Sequence, residues 1–225
     1  MLRFKEIRFL DLNTNTIADI SLVDAFENLV WLNASKNQVS NLDMFGGEKL
    51  EQLQHLNLSG NKIKALTNIT LPCLRRLNLT ENEITEVTWK GHNCIEVLEL
   101  RKNKLRKLKG IANMKQLKEL YVCENELTDI RGLENLPQLH KLSVRNNKIK
   151  TILNPFPQLP SLSAINLREN QFAKLEDLKK IDEHVTCVNA LQNPIAEELG
   201  ENFKKEACYL MPYLVKINKS DVTVE

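Results

Sequence analysis

The chain is predicted to fold as an α/β repeat solenoid, with a parallel β-sheet lining a concave face and short 3-10 or helical returns on the convex face. Three observations predict it. Nine asparagines, Asn15, Asn37, Asn61, Asn82, Asn103, Asn125, Asn147, Asn170 and Asn193, recur at intervals of 22, 24, 21, 21, 22, 22, 23 and 23 residues. Each closes a frame L-x-x-L-x-L-x-x-N-x-[LIVF], as in Leu53-Gln-His-Leu56-Asn-Leu58-Ser-Gly-Asn61-Lys-Ile63. After the ninth, the residues change to a helical pattern that suits an end cover.

The spacing explains each part of the frame. In x-L-x-L, apolar and outward residues alternate with the period of a strand buried on one side. The later apolar positions point inward from the return arc. The asparagine bends the chain while its amide is buried, bonding backbone groups of its own turn and the next. One such unit cannot bury its apolar face, so the units must stack around a shared core. This is the leucine-rich repeat signature. Strands about 4.8 Å apart over nine turns give an inner arc on the order of 40 Å.

In chain order, Ile7, Leu10, Leu12, Asn15 and Ile17 form the first repeat, so the Met1–Lys5 stub or a neighbour must cover the open edge. Gly46-Gly47 in the longest interval reads as a loop inserted on the outer side. Repeats five and six share Asn103-Lys-Leu-Arg-Lys-Leu-Lys-Gly110-Ile and Asn125-Glu-Leu-Thr-Asp-Ile-Arg-Gly132-Leu, with returns suited to 3-10 or single-turn pieces. Pro155, Pro157 and Pro160 stiffen the seventh return. Residues 1–196 are read as the solenoid and 197–225 as a helical cap. Glu197–Leu214 places Leu199, Phe203, Ala207, Leu210 and Leu214 on one helical face, interrupted at Pro212. An apolar inner and polar outer side would keep the terminal repeat from edge-to-edge association.

Composition narrows the function. Lys and Arg number 31 against 29 Asp and Glu, a formal charge of +2, which gives no whole-chain case for nucleic-acid binding. Five scattered cysteines (Cys73, Cys94, Cys123, Cys187, Cys208) read as reduced thiols rather than a disulfide framework. No signal-peptide or membrane-spanning run is present, so the expected setting is intracellular, and the N-x-[ST] sequons are read as by-products of Asn-rich strands. His92-Asn-Cys94 and His184-Val-Thr-Cys187 lack the second pair that a zinc site needs. Neither G-x-x-x-x-G-K-[ST] nor a strand-led G-x-G-x-x-G occurs. The expectation is a protein without catalytic activity, metal, cofactor or small-molecule substrate.

The expected binding surface is the concave face. One column reads Phe9, Trp31, His55, Arg76, Val97, Glu119, Lys141, Ala164, Cys187. The second reads Asp11, Asn33, Asn57, Asn78, Glu99, Tyr121, Ser143, Asn166, Asn189, and the third carries Arg101, Arg145 and Arg168. Phe9 and Trp31 either cover the first edge or bind a partner segment, aromatic and Arg side chains being those that dominate interface energies. The Arg101, Arg145, Arg168 column either holds an acidic segment or is a solvated face, with Arg101 able to pair with Glu99 or Glu119. Six of the ten residues 101–110 are basic (Arg101, Lys102, Lys104, Arg106, Lys107, Lys109) and read by default as a solvated flank. The alternative is contact with an acidic partner such as tubulin tails or RNA; RNA is disfavoured because the aromatics are not interleaved with the cluster.

These residues also carry a resemblance. The pattern N-x-[LI]-x-x-[LI]-x-G-[LI], with Phe203-Lys-Lys-Glu-Ala207…Leu210-Met-Pro212-Tyr-Leu214-Val-Lys-Ile217-Asn218, resembles the 22-residue repeat class typified by the regulatory subunit of protein phosphatase 1 and its shared C-terminal cap. That class includes axonemal dynein light chain 1, the spliceosomal U2 A′ protein and the acidic nuclear phosphoproteins. Leu98-Glu-Leu-Arg-Lys-Asn103, Ile165-Asn-Leu-Arg-Glu-Asn170 and Asn193-Pro194…Met211-Pro212-Tyr213-Leu214 resemble most the ciliary radial-spoke leucine-rich repeat proteins. The resemblance implies a structural protein of the ciliary or flagellar axoneme, partnered by axonemal complex subunits. The alternative is a soluble adaptor in cytosol or nucleus that cups an enzyme such as a phosphatase.

Overall fold

Eleven strands form one sheet along the inner side of an arc, as seen in a computed structural model that describes residues 6–47, 49–67, 69–88, 94–218 and the backbone of 220–221. Met1–Lys5 and His92 therefore lie outside the described residues. Nine strands come from the repeats: Phe9–Asp11, Trp31–Asn33, His55–Asn57, Arg76–Asn78, Val97–Glu99, Glu119–Tyr121, Lys141–Ser143, Ala164–Asn166 and Cys187–Asn189. All pair in parallel and in unbroken register, from Phe9↔Trp31 to Ala164↔Cys187. The middle residue of each strand points inward, so Leu32, Leu56, Leu77, Leu98, Leu120, Leu142, Ile165 and Val188 make one buried column. Each such side chain contributes about 1.5–3 kcal/mol on burial. Leu10, on the edge strand, is only half-buried.

The asparagine ladder occupies the turn after each strand. The Asn82 Nδ2 donates to Leu58 O at 3.0 Å in the coil before it and to Leu79 O at 3.1 Å in its own. Its Oδ1 accepts the Ile63 N–H at 3.0 Å. The same pattern recurs from Asn37 to Asn193, and every one of those amides is buried. Asn15 departs from the expected burial. It is exposed, and its Nδ2 bonds only Leu12 O and Asn13 O within its own coil. The amide of a ladder residue is buried by the coil that precedes it, and among the described residues none precedes that of Asn15.

Each ladder residue follows one in the left-handed region: Thr14, Lys36, Gly60, Glu81, Lys102, Glu124, Asn146, Glu169 and Gln192, with φ between 51° and 66°. Only Gly60 is the residue type that adopts this cheaply. The turn is held by the ladder rather than chosen by local preference, and it throws the preceding side chain sideways toward the neighbouring coil.

The returns are short. There are 3-10 turns at Ser21–Ala25, Asp43–Gly46 and Ile111–Asn113 and a single α-turn at Leu175–Leu178. In the longest interval Gly46 ends a 3-10 turn whose Phe45 is fully buried, while Gly46 and Gly47 themselves are exposed. Ala65–Leu66 and Glu86–Val87 add a two-stranded parallel sheet on the outer side. Gly110 has φ 100°, and a Cβ there would sit 2.3 Å from Val87 O, which explains the glycine shared by repeats five and six.

The cap differs from the expected interrupted stretch Glu197–Leu214. An α-helix covers Pro194–Leu199, Gly200 (φ 53°, ψ −124°) turns the chain, and a second α-helix covers Phe203–Leu210. The break falls at Gly200, whose backbone leaves the helical region, and Leu199 and Leu210 are half-buried while Phe203, Ala207, Met211 and Leu214 are buried. Lys216–Ile217 then pairs in parallel with Cys187–Asn189 and turns back antiparallel onto Ser220–Asp221. Asn218 has φ 51°, and its side-chain Oδ1 accepts the Ala190 N–H at 2.8 Å, where an interior strand would use a backbone carbonyl.

Candidate protein-binding surface

The strand register places the first two columns on one face. Phe9, Trp31, His55, Arg76, Val97, Glu119 and Lys141 stand side by side on consecutive strands, as do Asn78, Glu99, Tyr121 and Ser143. Phe9 is 71% exposed at the edge; Trp31 and His55 are half-buried; Arg76 is exposed. Asn33, Asn57, Asn78, Asn166 and Asn189 are committed to the turn, each Oδ1 accepting the N–H two residues on. Their type is structural, which the sequence reading left open.

Around Tyr121 the structure gathers five of the expected residues. Its hydroxyl donates to Glu119, the Arg101 guanidinium lies 4.4 Å from its ring centroid and Lys141 Nζ lies 5.2 Å from it. Arg101 also pairs with Glu99 at 3.3 Å, and Lys141 with Glu119 at 3.9 Å. The Tyr121 hydroxyl holds the Glu119 carboxyl below its usual range, helped by Lys141, His140 and Arg76. Burial, then Glu119, pushes Tyr121 up, and the contact with Tyr121 raises Lys141. The cluster is a self-satisfied network of ring, acid and cation.

The arginine column is likewise engaged within the chain. Arg145 grips Glu169 through two nitrogens, Nη2 to Oε1 at 2.9 Å and Nε to Oε1 at 3.2 Å. Arg168 meets Glu169 at 3.1 Å and also bonds Gln192. Arg101, Arg145 and Arg168 are therefore a stripe of three cations tied to two carboxylates, Glu99 and the shared Glu169, rather than a row of free cations. Glu169, absent from the expected site, does this from the left-handed position preceding Asn170. Its place in the frame, one before the ladder residue, was the available signal.

The basic run 101–110 is laced to acids one coil away: Lys102 to Glu81 at 2.6 Å, Lys104 to Glu83 at 3.3 Å and Arg106 to Glu126 at 3.3 Å. Such exposed pairs are each worth about 1 kcal/mol or less. Two depressions interrupt the face. One, of about 570 Å³, lies over Ser143, Ala164 and Cys187, whose small side chains leave room between Tyr121 and Lys216. A smaller one, of about 140 Å³, lies between Trp31, His55 and Arg76.

Among the described residues no three His, Cys, Asp or Glu side chains are placed to hold a metal ion, and no helix is long and apolar enough to cross a membrane. All five cysteines are free thiols. His184 is tied to Asp182 at 2.6 Å and to Leu159 O at 2.8 Å, a structural role.

Repeat, ladder and parallel sheet together make a leucine-rich repeat fold. Residues 27–70, 51–91 and 115–158 match the family described as Leucine Rich repeats (2 copies). The chain is similar to leucine-rich repeat-containing protein 23 of Homo sapiens (33% identical) and of Bos taurus (32%), each over 95% of this chain. It spans 62% of the length of those relatives. Three solved structures share the fold. The LRIM1/APL1C complex matches over 96% of this chain and 40% of its own (TM-score 0.69, 16% identical). A leucine-rich repeat protein of Leptospira interrogans matches over 94% and 60% (0.61, 22%). The Drosophila melanogaster SNF/U2A′ complex matches over 56% and 74% (0.51, 23%).

Proposed function

We propose that this chain is a non-enzymatic scaffold that holds partner proteins on its concave face, as a structural component of the ciliary or flagellar axoneme, on the radial spoke or a neighbouring complex. The observation that carries the scaffold reading is the unbroken register of nine strands. It fixes one aromatic-to-charged row on a stiff sheet whose core uses none of those side chains. Two of the structures that share the fold are themselves complexes, SNF/U2A′ and LRIM1/APL1C, which supports the same use of the arc here. The axonemal setting is supported by the likeness of the repeats and cap to the ciliary class. A soluble adaptor of a phosphatase or another enzyme is the second reading, favoured by Glu99, Glu119, Glu124 and Glu169, which leave the inner belt mixed in charge rather than basic.

Immobilised protein incubated with axonemal and with cytosolic extracts of ciliated cells, read by quantitative mass spectrometry, tests both readings. A variant with Glu99, Glu119 and Lys141 each changed to the opposite charge reports on the face. Axonemal complex subunits captured by the wild type and lost by the variant are the expected result. Capture of a phosphatase catalytic subunit instead would replace the axonemal reading. Capture unaffected by the variant would move the contact off the concave face.

A further inference from the structure

One guanidinium on the concave row stands apart. Among the described residues Arg101, Arg145 and Arg168 have acidic partners, whereas Arg76 is exposed and its side chain makes no ion pair or hydrogen bond. Its neighbours on the row are not acids. His55 lies on one side and the buried Val97 on the other. Beyond His55 come Trp31 and the edge ring of Phe9, the most exposed aromatic of the face. The row thus runs from an exposed ring to a guanidinium that lacks a direct ion pair, its charge felt by Glu96 and Glu119, with a depression of about 140 Å³ between Trp31 and Arg76 that Glu99 also lines.

We propose that the Phe9–Trp31–His55–Arg76 row docks an amphipathic, acidic helix of a partner protein, its apolar side chains over Phe9 and Trp31 and a carboxylate on the Arg76 guanidinium. This rests on the concave-face reading and names the partner's chemistry. Strands about 4.8 Å apart put Phe9 and Arg76 about 14 Å apart along the row. An α-helix rising 1.5 Å per residue covers that span in roughly nine residues. Apolar residues at i and i+4 therefore cover the two rings, and a Glu at i+7 or i+8 reaches the guanidinium, all on one helical stripe. Arginine is suited to the task because its planar fork takes a carboxylate through two parallel bonds.

The test uses the whole protein and fluorescence anisotropy with two labelled helix-forming peptides. Both carry Leu at i and i+4; one has Glu at i+7 and i+8, the other Lys. The Glu peptide is expected to bind the wild type and the Lys peptide to bind at least about tenfold more weakly, as losing a charge-assisted bond requires. Arg76→Ala should weaken the Glu peptide by about the same factor, and Arg145→Ala should change it less than about twofold. Arg76→Glu should reverse the preference, and Phe9→Ser, at an exposed edge site that leaves the core intact, should weaken both peptides. Equal binding of the two peptides, or no effect of Arg76→Ala, overturns the proposal. So does no binding of either peptide, and so does self-association of the wild type that Arg76→Ala abolishes in sedimentation. Because the extract capture uses Glu99, Glu119 and Lys141, it survives a failure here if the scaffold reading is right and only the acidic helix is wrong.

Discussion

Replacing Asn125 by Ala measures what the ladder is worth, because every bond it makes can be followed. Its Oδ1 accepts the Leu105 N–H at 3.0 Å, and its Nδ2 reaches Leu100 O at 2.9 Å, Val122 O at 3.1 Å and Cys123 O at 3.1 Å. After truncation each carbonyl keeps another donor: Asn103 Nδ2 for Leu100, Asn147 Nδ2 for Val122, the Lys102 N–H for Cys123. The Leu105 N–H keeps none, and Leu105 is fully buried. A stranded buried N–H costs about 1–3 kcal/mol, and the lost amide bonds add about 1 kcal/mol more. The total is a loss of about 2–4 kcal/mol. Asn15→Ala is the internal control. The residue is exposed and its bonds are local to its own coil, so water takes them over at about 0.5 kcal/mol or less. Urea unfolding followed by circular dichroism, with the slope unchanged between variants, gives both numbers. Equal losses at Asn125 and Asn15, or none at Asn125, would refute the ladder as the source of stability.

Gly110→Ala should destabilise by about 2 kcal/mol or more, since its Cβ would sit 2.3 Å from Val87 O at φ 100°, while Gly46→Ala, with open space around it, should stay within about 0.5 kcal/mol; thermal melts compare them. Asn218→Ala should cost about 1–2 kcal/mol by stranding the Ala190 N–H, and hydrogen exchange of that amide should accelerate. Arg145→Ala breaks a half-exposed pair with Glu169 and should change stability by about 1 kcal/mol or less in the same urea assay. Burial, then Arg76 and Arg75, hold His55 below its ordinary 6.5. The unfolded chain therefore takes up that proton first, and stability falls as pH drops from 6.5 to the lowered folded value; His55→Gln should flatten the melting temperature over this window.

The repeat was legible because burial on one side of a strand forces a two-residue period, and because a buried turn needs a side chain that both donates and accepts. Both leave marks in every copy. Asn15 misled because the mark records the turn and not the neighbour that buries it. The left-handed position before each ladder residue left almost no mark, since eight of its nine occupants are not glycine and are held there by tertiary bonds. Glu169 and Glu81 were missed for that reason, and with them the pairing of Arg145 and Arg168 with Glu169 and of Lys102 with Glu81. The register gave the face correctly, down to the alignment of Glu119 with Lys141. It could not tell which cations already had partners, because that depends on side chains from the turn of the next coil. The cap strands escaped notice because two residues, Lys216–Ile217, are too few to show a period.

Because each ladder amide from Asn37 onward turns its carbonyl to the coil before it and offers its N–H groups backward and inward, a coil is complementary to any other coil. Joining Asn103 directly to Glu126 would keep the frame N-x-L and present the same bonds to both neighbours. Whole units can therefore be lost or duplicated at the level of the gene without a new folding solution, while a partial unit breaks the frame. The return arcs, spread over intervals of 21 to 24 residues, absorb the remaining variation. What such an event changes is the order of side chains along the inner row, so that recognition can be rewritten by shuffling coils while the architecture stays fixed.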